Sequence, residues 1–374
     1  MTHVRTLEGH AADVLCCAFH TIDPILASGA EDGTLLLHDL RTRTTSARIE
    51  FDADELPSIA FAASDPNIIY ASGGTTTYSA DLRQAAVLQS RSFNSDEVNS
   101  ISVSPNGRFL AAADDAGDVK IIDASTWQLF KSMRGAHDNI CSSGVFRPHH
   151  PWELLTGSLD ASVKRWNFSQ GRSVRHWRME PTEEHNSSQA FNPPLVHSVA
   201  VACAHWARQL GRLVAVARGD GLVAVYDADQ PQQAPQHRKV TKRGKQTRPN
   251  GPCQVSRAEE PRRADPSGLV SALGADSGGH RSSVGCVRFH KASHGRLLLS
   301  GGNDARVLLW AWADRAADPQ WQDVISQSTV EDASAPVAID NDGRNINCVD
   351  SMDAAGFNTV IADTSPIIKL HNVL

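Results

Sequence analysis

One pattern of residues recurs about every 42 positions along the chain, and this repeat limits the fold more than any other feature. The clearest copies open on a small residue followed by a histidine, and nine residues after the histidine a phenylalanine closes an alternating apolar run. These pairs are His10 and Phe19, His137 and Phe146, and His280 and Phe289. Two more apolar runs joined by an acidic turn follow in each copy, which predicts three antiparallel strands in succession.

The residue that closes the third strand of each copy provides a count of the repeats. These residues are Asp39, Asp81, Asp123, Asn167, Asp227, Ala311 and Asn372. Their successive spacings are 42, 42, 44, 60, 84 and 61 residues, so seven units fit and some carry insertions. A period of about 40 to 45 residues is typical of propeller blades. We therefore predict an all-β fold, a single seven-bladed β-propeller, with blades at about 8–50, 51–92, 93–134, 135–178, 194–236, 279–320 and 341–374.

The spacing of 84 residues is twice the basic period and suggests an eighth blade as an alternative. We reject it because 228–278 has only scattered apolar residues, too few for three buried strands. Those residues are Val240, Val255, Leu269, Val270 and Leu273. The stretch is rich in Pro, Gln, Arg and Lys, which predicts a disordered basic insertion. Shorter insertions are expected at about 169–193 and 312–340.

The two ends of the repeat pattern suggest how the ring closes. The chain ends just after a third strand, while Thr2–Leu7 is a spare strand at the other end. If this N-terminal strand serves as the outer strand of the last blade, an unpaired sheet edge disappears. We therefore predict that both ends of the chain contribute to one blade.

Charge, hydropathy and cysteine content exclude several classes of protein. With 42 acidic and 36 basic residues, the chain has no bulk field that favours nucleic acid. It has no apolar run of about 18 residues and no apolar segment at its start, so we expect no membrane span and no secretory signal. Seven cysteines without a CxxC pair, and histidine pairs without a nearby cluster of acids or cysteines, predict no disulfide framework, metal site or cofactor. We expect a soluble intracellular protein of the nucleus, the cytoplasm or both.

Three copies contain a histidine, a hydroxyl residue and an aspartate, which on paper resemble a hydrolase triad. The sets are His10, Ser28 and Asp32; His137, Thr156 and Asp160 with Trp166; and His280, Ser300 and Asp304 with Trp310. Their recurrence at the repeat period argues against catalysis, because a nucleophile needs one activated site. They resemble the hydrogen-bond network of WD-repeat blades, in which the aspartate holds the histidine, the histidine reaches the hydroxyl and the indole ends the network. The resemblance implies a structural role, and we predict no catalytic residue.

The tripeptide Asp-Leu-Arg occurs at the ends of two consecutive third strands, at Asp39 to Arg41 and at Asp81 to Arg83. Ring symmetry places both arginines on one face, one blade apart, where their planar forks suit a protein interface. The pair is similar to the double Asp-x-Arg motif by which WD-repeat substrate receptors dock onto the DDB-one adaptor of cullin-four ubiquitin ligases. That family usually has Trp before the Asp, whereas this chain has His38 and Ala80. In the alternative interpretation, Asp ends the strand and Arg is a solvated loop residue.

Four segments have a closer resemblance to one family. They are 110–117, 139–148, 192–202 and 297–304, and the likeness covers most of 7–310. These segments are similar to the family of WD repeat-containing protein 53. The resemblance implies a seven-bladed propeller that acts as a substrate receptor of the cullin-four ligase. The resemblance does not indicate which substrates this chain binds.

A basic stretch occupies 237–248, and Arg257, Arg262 and Arg263 follow it. A local cluster of this density is compatible with a nuclear import signal or with phosphate contacts. It contains no Phe, Tyr or Trp, so base stacking is not indicated. The simpler interpretation is a solvated, disordered insertion, and the sequence does not favour nucleic-acid binding.

The leading functional hypothesis is a non-enzymatic adaptor. One face would bind the ligase adaptor through Asp39, Arg41, Asp81 and Arg83, and another face would present an unknown substrate, with the chain a monomer within a larger complex. The alternative is a peptide or histone-tail reader that uses the mouth of the central channel and has no connection with a ligase. An enzyme is a distant third hypothesis.

Overall fold

The computed structural model describes residues 2–20, 22–42, 44–181, 192–202, 210–230, 268–274, 278–291, 297–312, 336–352 and 359–372. These residues form seven antiparallel sheets of four strands each, which are the seven blades of a β-propeller. The helical structure among the described residues is one short 3-10 turn, Leu210–Arg212. The predicted all-β, seven-bladed architecture is therefore confirmed.

Each blade has four strands that follow one another outwards from the centre. Blade 1 has β2 (Val14–Phe19), β3 (Ile25–Ala30), β4 (Thr34–Asp39) and β5 (Thr44–Glu50). Blade 2 has β6 (Ser58–Phe61), β7 (Ile68–Gly73), β8 (Thr76–Asp81) and β9 (Ala86–Arg91). Blade 3 has β10 (Val98–Val103), β11 (Phe109–Asp114), β12 (Val119–Asp123) and β13 (Gln128–Met133). Blade 4 has β14 (Cys141–Phe146), β15 (Glu153–Ser158), β16 (Ser162–Asn167) and β17 (Arg172–Arg178).

The remaining blades follow the same order. Blade 5 has β18 (Val196–Val201), β19 (Leu213–Arg218), β20 (Val223–Asp227) and β21 (Leu269–Leu273). Blade 6 has β22 (Val284–Phe289), β23 (Leu298–Gly302), β24 (Arg306–Trp310) and β25 (Val337–Asp340). Blade 7 has β26 (Ile346–Ser351), β27 (Thr359–Asp363) and β28 (Ile368–Asn372), and its fourth strand is β1 (Thr2–Leu7).

The ring closes through β1, as the sequence predicts. This strand pairs antiparallel with β28, and the register joins Leu7 to Ile368 and Thr2 to Asn372. Leu7 is buried in a cluster that includes Leu370 of blade 7 and Phe19 of blade 1. The N-terminal strand therefore satisfies the outer edge of β28 and also contributes to the contact between the last blade and the first.

The outer strands of blades 5 and 6 follow their insertions, which differs from the expected blade ranges of 194–236 and 279–320. Strand β21 lies inside 228–278, which the sequence predicts to be disordered, and β25 lies inside 312–340. An outer strand buries little, and in β25 only Ile339 is buried, so its apolar pattern is too weak to reveal it. Residues 182–191, 231–267 and 313–335 lie outside the described residues.

The apolar faces of neighbouring sheets form the core between blades. Between blades 1 and 2, for example, Leu35 and Ile49 pack with Ile69 and Tyr78. Closer to the axis, serines on the first strands accept backbone N–H groups of the next blade. Ser58 Oγ accepts from Ile101 N at 3.0 Å, Ser100 Oγ from Gly144 N at 3.2 Å, and Ser143 Oγ from Val199 N at 3.1 Å. Each blade is thus fixed to the next by apolar packing and directional bonds.

The two faces of the ring carry different parts of the chain. Because the strands alternate in direction, the ends of all third strands lie on one face, which we call the third-strand face. The residues that end these strands include Asp39, Asp81, Asp123, Asn167 and Asp227. The opposite face holds the turns between second and third strands, and we call it the turn face. The insertions of blades 5 and 6 leave from the third-strand face, because they follow β20 and β24.

Candidate functional site

Blades 4 and 6 each contain a closed chain of buried hydrogen bonds. In blade 4, Asp160 accepts from His137 Nδ1 at 3.0 Å, His137 Nε2 bonds Thr156 Oγ1 at 2.7 Å, and Trp166 Nε1 donates to the same oxygen at 2.8 Å. The side chain of His137 is fully buried. The His137 and Thr156 groups therefore have their partners within the blade, as buried polar groups require.

Blade 6 repeats this arrangement with nearly the same distances. His280 Nδ1 lies 2.8 Å from Asp304 Oδ1, and its Nε2 lies 2.8 Å from Ser300 Oγ. Trp310 Nε1 donates to Ser300 Oγ at 2.8 Å. The hydroxyl accepts an indole N–H and contacts the imidazole, and it is fully buried, so a substrate has no access to it.

Blade 1 has the same kind of network, but it ends at a histidine and not at a tryptophan. His10 Nε2 bonds Ser28 Oγ at 2.8 Å, but His38 stands where blades 4 and 6 have tryptophan, and its Nε2 lies 3.3 Å from the same hydroxyl. His10 Nδ1 is 3.8 Å from Asp32, and Thr34 Oγ1 lies between them. Burial lowers the pKa of His38 to about 4, so this histidine is neutral and serves as a hydrogen-bond partner.

The charged ends of these networks favour an ionised aspartate. Burial opposes ionisation of Asp160, but hydrogen bonds from His137 and Ser162 outweigh it and hold the pKa of Asp160 well below its usual value. In blade 6 burial likewise opposes ionisation of Asp304, yet the hydrogen bond from His280 keeps the pKa of Asp304 lowered. Both carboxylates are therefore charged acceptors at neutral pH. A general acid or base would need a pKa near neutrality, which neither aspartate has.

Two further blades contain an asparagine–aspartate pair that sequence reasoning missed. Asn94 Nδ2 donates to Asp114 at 2.8 Å in blade 3, and Asn341 Nδ2 donates to Asp363 at 2.6 Å across the contact between blades 6 and 7. Asp114 and Asp363 are fully buried. The signal was position, because Asn94 precedes Val98 by the same interval by which His10 precedes Val14. A repeat pattern defined by histidine does not include Asn94.

The two Asp-Leu-Arg tripeptides adopt the same geometry on the third-strand face. Asp39 accepts from Arg41 Nε at 3.1 Å and from its Nη2 at 3.0 Å, and it also accepts the Arg41 backbone N–H at 2.9 Å. Asp81 holds Arg83 in the same way, with side-chain distances of 3.3 and 3.1 Å and a backbone distance of 2.8 Å. Each arginine is thus presented in one fixed orientation by its own aspartate.

Burial separates the roles of the three residues in each tripeptide. Leu40 is buried in the cluster between blades 7 and 1, and Leu82 packs against the cluster between blades 1 and 2. Both arginine side chains are 64% exposed. The hydrogen bond from Arg41 lowers the pKa of Asp39, and the hydrogen bond from Arg83 lowers the pKa of Asp81, so both pairs are ionised. The leucine anchors the turn and the arginine faces solvent.

The aspartate of this tripeptide also has a general role in the turn. In blades 3 and 5, Asp123 and Asp227 accept the backbone N–H of the residue two positions on, at 3.0 and 2.9 Å. Their arginine partners come from the start of the second strand instead, as Arg108 and Arg212. The aspartate therefore shapes the end of the third strand in several blades, whereas an arginine two residues after it is a feature of blades 1 and 2.

An exposed aromatic pair lies beside the third-strand face at blades 3 and 4. Phe130 is 40% and Trp152 is 39% exposed, and their rings stack with centroids 6.3 Å apart. Beneath them Phe109 contacts both rings, and Arg108 lies over the Phe109 ring at 4.9 Å. Exposed aromatic and arginine side chains are typical of the energetic centres of protein interfaces.

Two concave regions complete the candidate sites. First strands line a central cavity of about 230 Å³, where Ser100 and Ser102 meet Arg288, Lys291 and Asp350. A second cleft of about 500 Å³ lies on the turn face between blades 1 and 2. Its acidic lining residues are Glu31, Asp52, Asp54, Glu55 and Glu97. Burial and the neighbouring carboxylates raise the pKa of Glu55.

Metal and membrane sites are not indicated by the part of the chain that the structure describes. Within it, no group of three or more His, Cys, Asp or Glu residues has the geometry of a metal site. His149 and His150 line a small pocket with Pro105 and Arg147. No helix among the described residues is both long and apolar enough to cross a membrane. The basic stretch at 237–263 lies outside the described residues.

Comparison with known proteins gives the same architecture. Residues 1–39, 87–123 and 274–311 match the model of the WD domain, G-beta repeat. The chain is 24% identical to the WD repeat-containing protein 53 homolog of Dictyostelium discoideum, over 98% of this chain and 93% of that protein. It is also 28% identical to human Striatin-4, over 60% of this chain and 29% of Striatin-4. The first relative is matched over almost its entire length, whereas Striatin-4 is matched only in part.

A solved structure supports the fold independently of sequence identity. The WD40 β-propeller domain of Doa1 superposes with a TM-score of 0.68, and the match covers 100% of this chain and 97% of that domain. Only 15% of the aligned residues are identical, so this likeness shows the fold and nothing finer.

Proposed function

We propose that this chain, a seven-bladed propeller built of WD repeats, is a non-enzymatic scaffold that docks onto the DDB-one adaptor of a cullin-four ubiquitin ligase. Propellers of this kind hold other proteins, and their connecting loops vary freely on a rigid ring. The proposal that the partner is the DDB-one adaptor rests on one observation. Arg41 and Arg83 are exposed in the same geometry, one blade apart, on the third-strand face.

The geometry of the pair suits a protein partner. Each guanidinium keeps its Nε and Nη2 on its own aspartate, which leaves the remaining donors directed towards solvent. Because the aspartates restrict the side chains, a partner that binds them loses less side-chain entropy than it would with free arginines. Two such groups, one blade apart, recognise a partner with two matched acceptor sites and not a single small anion.

Further contacts on the same side extend the proposed surface. Arg108 and the stacked pair of Phe130 and Trp152 continue it from blades 1 and 2 to blades 3 and 4. The aromatic side chains supply apolar area and the arginines supply orientation, a combination found at the centres of stable interfaces. Under this proposal the opposite turn face remains available to a substrate.

A relative that matches nearly the whole chain supports the proposal at the level of the family. The WD repeat-containing protein 53 homolog covers nearly the whole chain, and the resemblance to that family implies the role of a substrate receptor. His38 and Ala80 replace the tryptophan that usually precedes the aspartate, and both are buried. This chain thus keeps the exposed arginines of the motif. It differs from the motif at the buried position before each aspartate. The protein would act in the nucleus, the cytoplasm or both.

A binding experiment tests the docking proposal. The tagged chain would be used to recover the DDB-one adaptor from a mixture of purified proteins, in wild-type form and as Arg41→Ala/Arg83→Ala. Arg48→Ala/Arg91→Ala is the matched control, because it removes two exposed arginines from the outer strands of the same blades. We expect the first variant to lose the adaptor and the control to retain it. Equal recovery by all three proteins would refute docking through this pair.

A peptide reader is the second candidate, and the acidic cleft favours it. Five carboxylates line the cleft on the turn face, so a peptide rich in lysine or arginine is the ligand that its charge fits. The central cavity carries Arg288 and Lys291 and suits such a peptide less well. If a histone-tail peptide binds the wild type and Glu55→Gln/Glu97→Gln weakens that binding while adaptor recovery stays absent in both, the reader replaces the adaptor as the proposed function.

A further inference from the structure

Four cysteines lie on the first strands of three consecutive blades. Cys16 and Cys17 are in β2, Cys286 is in β22 and Cys348 is in β26. Blades 6, 7 and 1 are neighbours in the ring, so these thiols meet near the point where the ring closes. None of them belongs to the proposed docking surface. The ring closes in blade 7, where β1 pairs with β28, so a link between β2 and β26 would join the first blade to the last.

Cys17 and Cys348 face each other across this seam. Cys348 Sγ donates to the carbonyl oxygen of Cys17 at 3.6 Å, and each thiol shifts the pKa of the other. Both side chains belong to the apolar cluster that joins blade 7 to blade 1. A disulfide needs two Cβ atoms about 4 Å apart, and the contact between Cys348 Sγ and the backbone of Cys17 brings these two residues together.

Hydrogen bonds on both sides of the pair fix the two strands relative to each other. Asn347 Nδ2 donates to the carbonyl oxygen of Val14 at 2.8 Å, and Asp350 accepts from the backbone N–H of Phe19 at 2.9 Å. The first bond precedes the cysteines in each strand and the second follows them. These two bonds fix β26 against β2 on either side of the two cysteines.

The two thiols differ in reactivity, and the difference gives each a role. The S–H of Cys17 donates to Cys348, and together with the charge of Arg288 it lowers the pKa of Cys348. The same hydrogen bond, with burial, raises the pKa of Cys17. Cys348 is only partly buried, whereas Cys17 is 6% exposed. A thiolate is the nucleophile in thiol oxidation, so Cys348 is the thiol that a small oxidant reaches first.

The other two thiols are directed elsewhere. Cys16 Sγ lies 3.2 Å from the carbonyl oxygen of Leu56 in blade 2. Cys286 Sγ lies 3.9 Å from the carbonyl oxygen of Gly301 in its own blade. Burial raises the pKa of Cys16 and of Cys286, which keeps both as inert thiols. Cys286 also lies close enough to Cys348 for their charges to interact, but the hydrogen bond across the seam joins Cys348 to Cys17.

We propose that Cys17 and Cys348 form a disulfide when the protein meets a peroxide, and that this bond fastens blade 7 to blade 1. The thiolate of Cys348 attacks one peroxide oxygen, the O–O bond breaks, and a sulfenic acid and hydroxide form; the hydroxide takes up the proton that Cys348 released on ionising and becomes the first water. The Cys17 sulfur then attacks the sulfenic sulfur, and the hydroxyl leaves as a second water after it takes a proton. Two thiols are oxidised to one disulfide and one hydrogen peroxide is reduced to two waters.

The bond would add a second closure to the ring. In the reduced protein, β1 and the packing of blade 7 on blade 1 hold the seam. A disulfide between residues 17 and 348 spans almost the whole chain, so it restricts the unfolded state strongly and adds a covalent link between the two inner strands. The oxidised protein should therefore melt at a higher temperature than the reduced protein and should regain the lower melting temperature with a dithiol reductant.

Peptide mapping on the full-length chain tests the proposal. Cys203→Ser/Cys253→Ser removes two thiols outside the described residues, and this parent is treated with hydrogen peroxide and digested without reduction. We expect a cross-linked peptide that joins Cys17 to Cys348 and a loss of two hydrogens from the intact mass. Cys348→Ser should abolish the link and the rise in melting temperature, whereas Cys141→Ser should keep both.

The outcomes that overturn the proposal are distinct. A peptide that links Cys286 to Cys348 would show that the wrong pair was chosen. Sulfenic or sulfinic acid at Cys348 with no cross-link would show that Cys17 does not resolve it. Mapping needs only the parent protein, so the result stands even if Cys348→Ser fails to fold. Adaptor binding is a separate measurement, and failure of either proposal leaves the other intact.

Discussion

Asp160 in blade 4 and Asp39 in blade 1 each bind a basic side chain, but the two pairs lie in opposite surroundings. Asp160 accepts from His137, whose side chain is fully buried, whereas Asp39 accepts from Arg41, which is 64% exposed. In the first pair, water cannot replace a lost partner. In the second pair, water can take the place of a lost partner. The same kind of contact thus stabilises the blade in one place and only orients a side chain in the other.

This contrast separates residues that maintain the ring from residues that are available to a partner. The networks of blades 4 and 6 end at an indole within the blade and offer no group to solvent. The arginines of blades 1 and 2 keep donors free of their aspartates. Loss of a network residue should reduce stability, and loss of an arginine should reduce binding.

The largest effect is expected for Asp160→Ala. The change removes the charged acceptor of the buried His137 Nδ1–H and leaves only Ser162 Oγ, 3.2 Å away, so we expect the free energy of unfolding to fall by about 3 kcal/mol. Urea unfolding followed by tryptophan fluorescence measures it. Asp138→Ala is the control, because Asp138 is an exposed acid next to His137. Equal stability of the two variants would show that the network contributes little.

A smaller effect is expected for Trp310→Phe in blade 6. Phenylalanine keeps an aromatic ring in the core but removes the N–H that donates to Ser300 Oγ. We expect a loss of about 1 kcal/mol for the hydrogen bond, with a further loss from the smaller ring. Chemical denaturation again provides the measurement. A variant as unstable as Asp160→Ala would mean that packing, and not the indole hydrogen bond, dominates at this position.

The stability of blade 4 should also depend on pH in a defined direction. Hydrogen bonds hold the pKa of Asp160 below its unfolded value, so its contribution is complete above the unfolded pKa of about 4. As the pH falls from there towards the folded pKa, the contribution is lost. Unfolding measured from pH 6 to pH 3 should therefore show a narrowing gap between the wild type and Asp160→Asn. A gap that stays constant over this range would contradict an ionised Asp160.

Features that repeat along the chain were predictable from the sequence, and features of single blades were not. The period fixed the number of blades, and the spare strand at Thr2–Leu7 indicated the closure. Strand β21 was missed because its short apolar stretch, Leu269–Leu273, stands alone in a long polar segment, and β25 was missed because only Ile339 of that strand is buried. Apolar periodicity cannot reveal a strand that is mostly exposed.

The candidate sites show the same limit. The histidine, hydroxyl and tryptophan residues of blades 4 and 6 could be assigned from sequence because they recur together. The pair of Asn94 and Asp114 could not, because a different residue type occupies the histidine position. The acidic cleft draws its carboxylates from turns of several blades, and only the folded ring brings them together. The proximity of Cys17 and Cys348 likewise depends on closure of the ring.

The central claim is that the arginine pair serves binding and not stability, and one variant measured in two ways tests it. Arg41→Ala/Arg83→Ala should unfold at the same denaturant concentration as the wild type, because both arginines are exposed. In a calorimetric titration with the purified DDB-one adaptor, the same variant should bind at least tenfold more weakly, since two charge-assisted contacts are lost. Wild-type affinity in this variant, or a loss of binding that accompanies a loss of stability, would contradict the account.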